Sequence, residues 1–378
     1  MNYKIPFNKP HITGKEAHYI YEAVYKNGHI SGNGIFTKKC QLFFENKYGF
    51  KKTLLTTSCT DAIEMCALLL DIKEGDEIIV PSYTFVSSAL AFVRQGAKII
   101  FADSHSNHPN IDENKIEALI TPKTKVIVPV HYAGMACDMD KIMAIAKKYQ
   151  LWVVEDSAQA IDSFYKGKPI GSIGHFGCFS FHETKNIQSG EGGMLAINDE
   201  QFIRRAEIIW EKGTNRAEFF RGEVNKYNWV DIGSSFLPSD IIAAFLYAQL
   251  ENLEIIQKKR KEIWNCYYEG LKQIEESGHI QLPHIPDHAT NNGHMFYILL
   301  NSLKDRSELI SHLKANGILS VFHYLSLHKS PYYNSKYSGP NLEWSDNFEN
   351  RLLRLPLYYS LTNDELTYII NCIKKFKF

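Results

Sequence analysis

The sequence predicts an α/β protein with a large, mainly parallel-sheet domain and a smaller C-terminal α+β domain. Two observations lead there. From about residue 53, apolar runs of strand length alternate with helix-length segments, the rhythm of a parallel sheet covered on both faces. The chain has 378 residues, 44% of them hydrophobic, enough for a substantial core and a smaller appended one. We place the large domain, with an N-terminal helical segment, at residues 1–250. A linking helix and the small domain occupy 251–378, the small domain itself beginning near Ser277.

Taken in order, Thr13-Gly14-Lys15-Glu16 reads as a capping box that opens a helix carrying Ala17, Ile20, Tyr21 and Val24 on one face, stopped by Asn27-Gly28. His29 to Gly34 is rich in small residues and reads either as an interhelical loop or as a place where a ligand approaches the backbone. A second helix is expected from Thr37 to Tyr48. Strands follow at 53–57, 77–80, 97–102, 125–130 and 151–154, with helices between them, so the ligand site of such a sheet should lie beyond the strands' carboxyl ends.

Ser58-Cys59-Thr60 follows the first of these strands and opens the apolar helix 62–70, placing backbone N–H groups and two hydroxyls together. A phosphate would sit there, and an ordinary helix cap uses the same residues. Cys59 reads as a small packed side chain. Tyr83 and Phe85 end the next strand, where an aromatic ring either stacks on a flat ligand or packs in the core. Asp156 ends the run Leu151 to Glu155, with Gln159 three residues on. A carboxylate there must be paired: it caps the next turn or meets a protonated ring nitrogen.

His175 to His182 reads as a strand, Gly192 to Ile197 as its antiparallel return, and between them lies Ser-Phe-His-Glu-Thr-Lys-Asn-Ile-Gln-Ser-Gly-Glu-Gly-Gly, residues 180–193. Taken alone, this polar, glycine-rich segment is a surface loop. Joined to Asp156, Gln159 and Ser58 to Thr60, it puts Lys185 at a buried strand end, where an ammonium loses hydration unless it is paired or neutralised. Imine formation with the aldehyde of pyridoxal phosphate removes that problem. Long helices follow between Asp199 and Ile274. A strand is expected at 295–300 and a helix at 304–316, and Thr362-Asn363-Asp364-Glu365 caps the last helix.

Lys plus Arg and Asp plus Glu are 42 each, so no global positive field attracts nucleic acid. The basic run 257–261 reads as the solvated face of a helix. Seven cysteines, at 40, 59, 66, 137, 178, 266 and 372, are odd in number and without C-x-x-C spacing, which points to reduced thiols and a cytoplasmic protein. The N-terminal residues lack an apolar signal core, and runs such as Ile241 to Leu246 are too short to span a bilayer, so no membrane partner is expected. His105 and His108, and the pair His182-Glu183, lack a third ligand at diagnostic spacing, and no metal is expected.

With Ser58-Cys59-Thr60, Asp156-x-x-Gln159, Ser180-Phe181-His182-x-x-Lys185-Asn186 and Gly190-Glu191-Gly192-Gly193 in this order, nearly the whole chain resembles the StrS/DegT-type nucleotide-sugar aminotransferases. The resemblance implies the type I PLP aminotransferase fold and a homodimer with shared active sites. It also implies pyridoxal 5'-phosphate as cofactor, with pyridoxamine phosphate as its intermediate form. By resemblance, Lys185 is the imine-forming lysine, Asp156 the pyridinium partner and Gln159 the ring-hydroxyl contact. Cys59, Thr60 and Ser180 resemble phosphate ligands, and Phe85 the ring-stacking residue. Asn228 is similar to the asparagine that reaches the neighbouring subunit's phosphate. After it the chain departs from the common Arg-Met pair, which leaves Ser234 or Ser235 as other sources of that contact.

Pro6 to Pro10, Val130 to Asp138 and Phe181 to Lys185 look most like the subgroup of dTDP-4-amino-4,6-dideoxygalactose transaminases. That likeness implies amino transfer from L-glutamate to the C4 ketone of dTDP-4-dehydro-6-deoxy-D-glucose, for O-antigen or enterobacterial common antigen. His323, Tyr324 and Arg221 are the candidate sugar contacts. Alternatives are a C3-keto or UDP-linked sugar, and a non-catalytic sugar-nucleotide sensor of the same fold.

Overall fold

A computed structural model describes residues 3–378; the first two residues of the expected 1–250 unit, and of the N-terminal stretch read for a signal core, lie outside the described residues. The chain opens with helices α1 (Glu16–Tyr21) and α2 (Ile35–Tyr48), then runs through strand β1 (Lys52–Thr56), helix α3 (Cys59–Leu69), strand β2 (Glu77–Pro81), helix α4 (Ser87–Val93) and strand β3 (Lys98–Ala102). Strands β4 (Thr124–Ile127) and β5 (Trp152–Asp156) follow, then a small ribbon of β6 (Phe164–Tyr165) and β7 (Lys168–Pro169), then β8 (Phe176–Ser180) and β9 (Gly193–Ile197). The large sheet has the order β1-β9-β8-β5-β4-β2-β3. Only β9 runs antiparallel to its neighbours, as the return after the lysine segment.

The sheet is covered on both faces because the middle positions of its strands are mostly apolar, and successive residues serve opposite sides. Leu54, Ile78, Val80, Val126, Val154 and Leu195 join one core cluster. On the other face, Leu55 and Met194 pack with Phe44 of α2, while Ile79, Ile127 and Val153 pack with Ile142 of the helix Met139–Tyr149. Burying both faces fixes the register and brings the carboxyl ends of β1, β2, β4 and β5 to one rim.

The second sheet is antiparallel, in the order β10 (Ile280–Gln281), β11 (Phe296–Leu300), β13 (Leu352–Leu355), β12 (Val321–Phe322). It packs on the long helix Leu253–Glu276 through Tyr267 and Leu271, and on the last helix, Asn363–Lys374, through Ile369 and Ile373. Tyr83 and Tyr132 from the large-sheet side enter the same cluster, so the two sheets meet over a shared apolar floor.

Local differences from the sequence reading have physical causes. At Thr13 half of the capping box forms: the Glu16 carboxylate accepts the Thr13 and Gly14 N–H groups, but the Thr13 hydroxyl has no partner among the described residues. Helix α1 therefore starts at Glu16, and it continues through a π-helical turn, Glu22–Lys26. β4 stops at Ile127 because Pro129 has no N–H to give the ladder. The helices expected between 199 and 274 are interrupted over 221–239, a stretch carrying Gly222, Gly233 and Pro238. In the basic run, Arg260 faces inward and donates to the carbonyls of Gly293 and His294, so only part of that run is a solvated face. The capping box at Thr362 and Glu365 forms completely. Among the described residues no helix is long and apolar enough to cross a membrane.

Candidate active site

A cleft of about 560 Å³ opens where the strand ends of the large sheet face the second sheet. Ser58, at the end of β1, caps α3 by accepting the Asp61 N–H at 3.1 Å. The N–H groups of the helix's first turn and the Thr60 hydroxyl, 2.7 Å from the Ser87 hydroxyl, then head into the cleft. Gly193 makes this arrangement possible: a Cβ there would lie 2.3 Å from the Ser58 carbonyl carbon, so only glycine lets β9 pass so near the helix start. Cys59 is buried, and burial pushes its thiol well above the usual range, which keeps it protonated.

At the end of β5, Asp156 is held from two sides, by the Ser88 hydroxyl at 2.6 Å and by the Ala158 N–H at 3.1 Å. Thr84, 2.9 Å from Ser88, extends that chain. The capping reading and the ligand reading of Asp156 are thus compatible: one oxygen caps the turn while the carboxylate still lines the cleft. Gln159 accepts the Ala133 N–H at 2.6 Å, and its amide nitrogen lies 3.1 Å from the Tyr324 hydroxyl. Beneath them the buried Glu155 accepts three backbone N–H groups, from Gly171, Ile173 and Gly174, and pairs with His131 at 3.0 Å, bracing β5.

Lys185 sits in the excursion between β8 and β9. That loop is tied by Phe181 N–H to the Gly192 carbonyl, Glu183 N–H to Gly190 and Lys185 N–H to His182. Gly190 turns the loop at a φ of +79°. Next to the lysine, Asn186 is fixed by donating to Gln257 and the Asn292 carbonyl, and its oxygen lies 2.9 Å from His294 Nδ1. Among the described residues the Lys185 amine has no ion-pair partner, and desolvation lowers its pKa to about 8. Burial likewise drives His294 and His323 far down, so both imidazoles are neutral at physiological pH.

Cys59, Thr60, Phe85, Asp156, Gln159, Ser180, Lys185, His323 and Tyr324 all line this one cleft. Phe85 stands 55% exposed at its mouth, its ring centre 5.9 Å from that of Tyr324. Arg221 does not reach the cleft; it pairs with Glu207 and Glu223 on a separate surface groove. Asn228 also lies outside it, exposed, with its N–H on the Asn215 side chain at 2.8 Å. Sequence reasoning missed Ser88, His294 and Arg354. Arg354 had a signal, a lone charge inside the apolar strand Leu352–Leu355; Ser88 had none, because nothing along the chain ties it to Asp156.

The donor set fits pyridoxal phosphate. A nucleophilic amine, a braced carboxylate, an amide, an aromatic ring at the mouth and a hydroxyl-bearing helix N-terminus converge on one cleft. Fold and cleft together define a pyridoxal-phosphate-dependent aminotransferase of the type I fold.

Residues 11–374 match the model of the DegT/DnrJ/EryC1/StrS aminotransferase family. The chain is 33% identical to the spore coat polysaccharide biosynthesis protein SpsC of Bacillus subtilis, over 99% of this chain and 97% of that one. It is equally 33% identical to a GDP-perosamine synthase of Escherichia coli O157:H7, with 98% of each chain covered. Among solved structures it is similar to Spr1654 of Streptococcus pneumoniae, described as a sugar aminotransferase and solved in a PMP form, with 28% identity, a TM-score of 0.91 and 98% of each chain covered. The chain belongs to the DegT/DnrJ/EryC1/StrS aminotransferase family.

Proposed function

We propose that the protein transfers the amino group of L-glutamate to the C4 ketone of a nucleotide-linked 6-deoxy sugar. The substrate we put first is dTDP-4-dehydro-6-deoxy-D-glucose, giving dTDP-4-amino-4,6-dideoxy-D-galactose and 2-oxoglutarate for a surface polysaccharide. The observation that carries the reading is the Lys185 amine, enclosed and brought down to about 8, in one cleft with Asp156 and Gln159. The likeness of the 130–138 and 181–185 segments supports the dTDP sugar.

In this reading Cys59, Thr60 and Ser180 hold the cofactor phosphate, Asp156 its ring nitrogen, Gln159 its ring oxygen and Phe85 its face. Bound there, pyridoxal phosphate supplies the electron sink that both half-reactions need. Lys185 holds the proton in transit: with a pKa near 8 it is neutral often enough to take a proton from the donor's α-carbon and charged often enough to return one to the sugar's C4. Ser88 and the Ala158 N–H keep the Asp156 carboxylate aimed, and neutral His294 adds no competing charge beside the lysine. His323 and Tyr324, on the second-sheet wall, orient the sugar. Arg221, ion-paired on another groove, has no place in this reading.

We further propose a homodimer, in which Asn228 of each chain serves the other chain's phosphate site. Phe220, Tyr227, Trp229, Val230 and Ile232 are all at least half exposed around Asn228, an apolar surface that a second copy would cover. A cytoplasmic setting agrees with seven free cysteines, six of them buried.

The test is product analysis, by mass spectrometry and proton NMR, of the protein incubated with pyridoxal phosphate, L-glutamate and dTDP-4-dehydro-6-deoxyglucose. An axial C4 amine on a dTDP sugar supports the substrate assignment. An equatorial amine keeps the reaction and reverses the face of protonation. Turnover only with a GDP-linked keto sugar would favour a second reading, which the likeness to a GDP-perosamine synthase motivates. Turnover only of a C3-keto or UDP-linked sugar would overturn the dTDP assignment, and no turnover with any keto sugar would leave a sensor.

A further inference from the structure

Away from the cleft, the loop that follows β3 doubles back on itself. Ser104 bridges Ile111, and the His105 N–H donates to the Asn110 carbonyl at 3.0 Å. That turn returns the chain to Asp112 and Glu113, where the helix Glu113–Ile116 begins. One ring nitrogen of His105 and one carboxylate oxygen each of Asp112 and Glu113 lie within 4.8 Å of one another. Along the chain His105 and His108 had no third ligand at diagnostic spacing; the returning loop supplies two carboxylates.

These groups are held in place from outside. His105 Nε2 is 2.6 Å from Glu113 Oε2, while the Lys141 ammonium, 2.9 Å from Oε1, engages the other oxygen. Asp112 Oδ1 accepts the Asn114 N–H at 3.1 Å, and Oδ2 is only loosely engaged by Lys115, 3.8 Å away, which lies closer to Asp103, at 3.1 Å. Both lysines keep about half of their side chains in solvent, so their charges can move off into water when a cation arrives.

His108 supplies an independent observation. Its ring centre is 4.2 Å from that of His105 and the residue is 9% exposed, yet Nδ1 is enclosed and has no hydrogen-bond partner among the described residues. An enclosed nitrogen without a partner carries the cost of its lost hydration, which a bound ion offsets. The His284 ring lies nearly parallel to it, 6.1 Å away between centres.

Imidazole and carboxylate together suit zinc and its transition-metal neighbours, whereas magnesium and calcium favour oxygen alone. Two ligands of a tetrahedral zinc stand about 3.3 Å apart, so the His105–Glu113 contact needs to open by only roughly 0.7 Å once its shared proton is displaced to solvent. We propose that His105, Asp112 and Glu113, with His108 turned in as the fourth ligand, form a binding site for zinc or a similar divalent transition metal. None of the four lines the cleft, so the proposal stands or falls apart from the aminotransferase reading. Bound there, the ion clamps the loop after β3 to the helix that follows it.

The test is equilibrium dialysis of chelator-washed holoenzyme against Zn2+, with metal per chain counted by mass spectrometry. Visible absorption after loading with Co2+ reports the geometry. The wild-type protein should take up one zinc per chain, show the intense bands of tetrahedral cobalt and melt at a higher temperature with zinc than without. His105→Ala, His108→Phe and Glu113→Gln should each weaken zinc uptake at least about tenfold, and the cleft's activity should be unchanged. Melting curves identify any variant that fails to fold, and Asp112→Asn, altered at a partly exposed ligand, then takes its place with the same expected loss. Absence of stoichiometric uptake, uptake unchanged in any folded variant, or equal uptake of Mg2+ and Ca2+ would overturn the proposal.

Discussion

The two walls of the cleft are built differently. On the large-sheet wall several polar groups already have partners: Asp156 is held by Ser88 and the Ala158 N–H, Gln159 by the Ala133 N–H, and Ser58 by the Asp61 N–H. On the second-sheet wall, among the described residues, Arg354 has no counter-ion and the Tyr297 hydroxyl no partner. A resident cofactor is served by groups whose geometry is fixed beforehand, because orientation settled during folding costs nothing at the moment of binding.

Breaking that contrast starts with the lysine. Lys185→Ala should abolish the cofactor's imine absorbance and lower turnover at least about a thousandfold, measured together by spectroscopy and product formation. Normal turnover in that variant would remove the central residue from the mechanism.

A smaller effect is expected on stability. The Lys185 amine keeps its proton up to about 10.5 in the unfolded chain but only to about 8 when folded. The unfolded state therefore binds more protons between those values, and stability should rise with pH across that window. Lys185→Met should remove that slope and stabilise the cofactor-free protein by about 3 kcal/mol at pH 7, read by denaturant unfolding at pH 7 and pH 10. A slope unchanged by the substitution would mean that the folded amine is well solvated.

Ser88→Ala should cost about tenfold in cofactor affinity, the range for a hydrogen bond to a charged group, and lower the melting temperature of the cofactor-free protein by only a few degrees. It tests whether prearrangement on the first wall matters. Smallest of all, Phe85→Ala at the solvent-exposed mouth should weaken cofactor binding only about threefold, as expected for loss of one aromatic stacking contact. A larger loss at Phe85 than at Ser88 would invert the account of that wall.

Much of the first wall was legible in the sequence. Asp156, Gln159, Ser58 to Thr60 and Lys185 all lie at strand ends or in the turns that follow them, and strand ends are visible as the places where apolar runs stop. The β9 return was legible for the same reason, as were β2 and β3 to within a residue of their ends. The second wall was not. His323 and Tyr324 were named only as candidates, Arg354 and His294 were missed, and Arg221 was placed with them although it lies on a different groove. Short strands in an antiparallel sheet leave weak patterns, and their contacts with the large sheet join residues more than a hundred positions apart, as Gln159 with Tyr324. The solvated reading of the basic run failed at Arg260 on similar grounds: the carbonyls it meets, Gly293 and His294, come from beyond the end of its helix.

By itself the sequence determined the sheet, its covered faces and the position of the lysine, because the period of apolar residues and the chemistry of turns act over a few neighbouring positions. Tertiary structure alone decided which charges stand without partners. Whether Arg354 or Lys185 meets water depends on which distant segments close over them, and only the packed chain sets that desolvation.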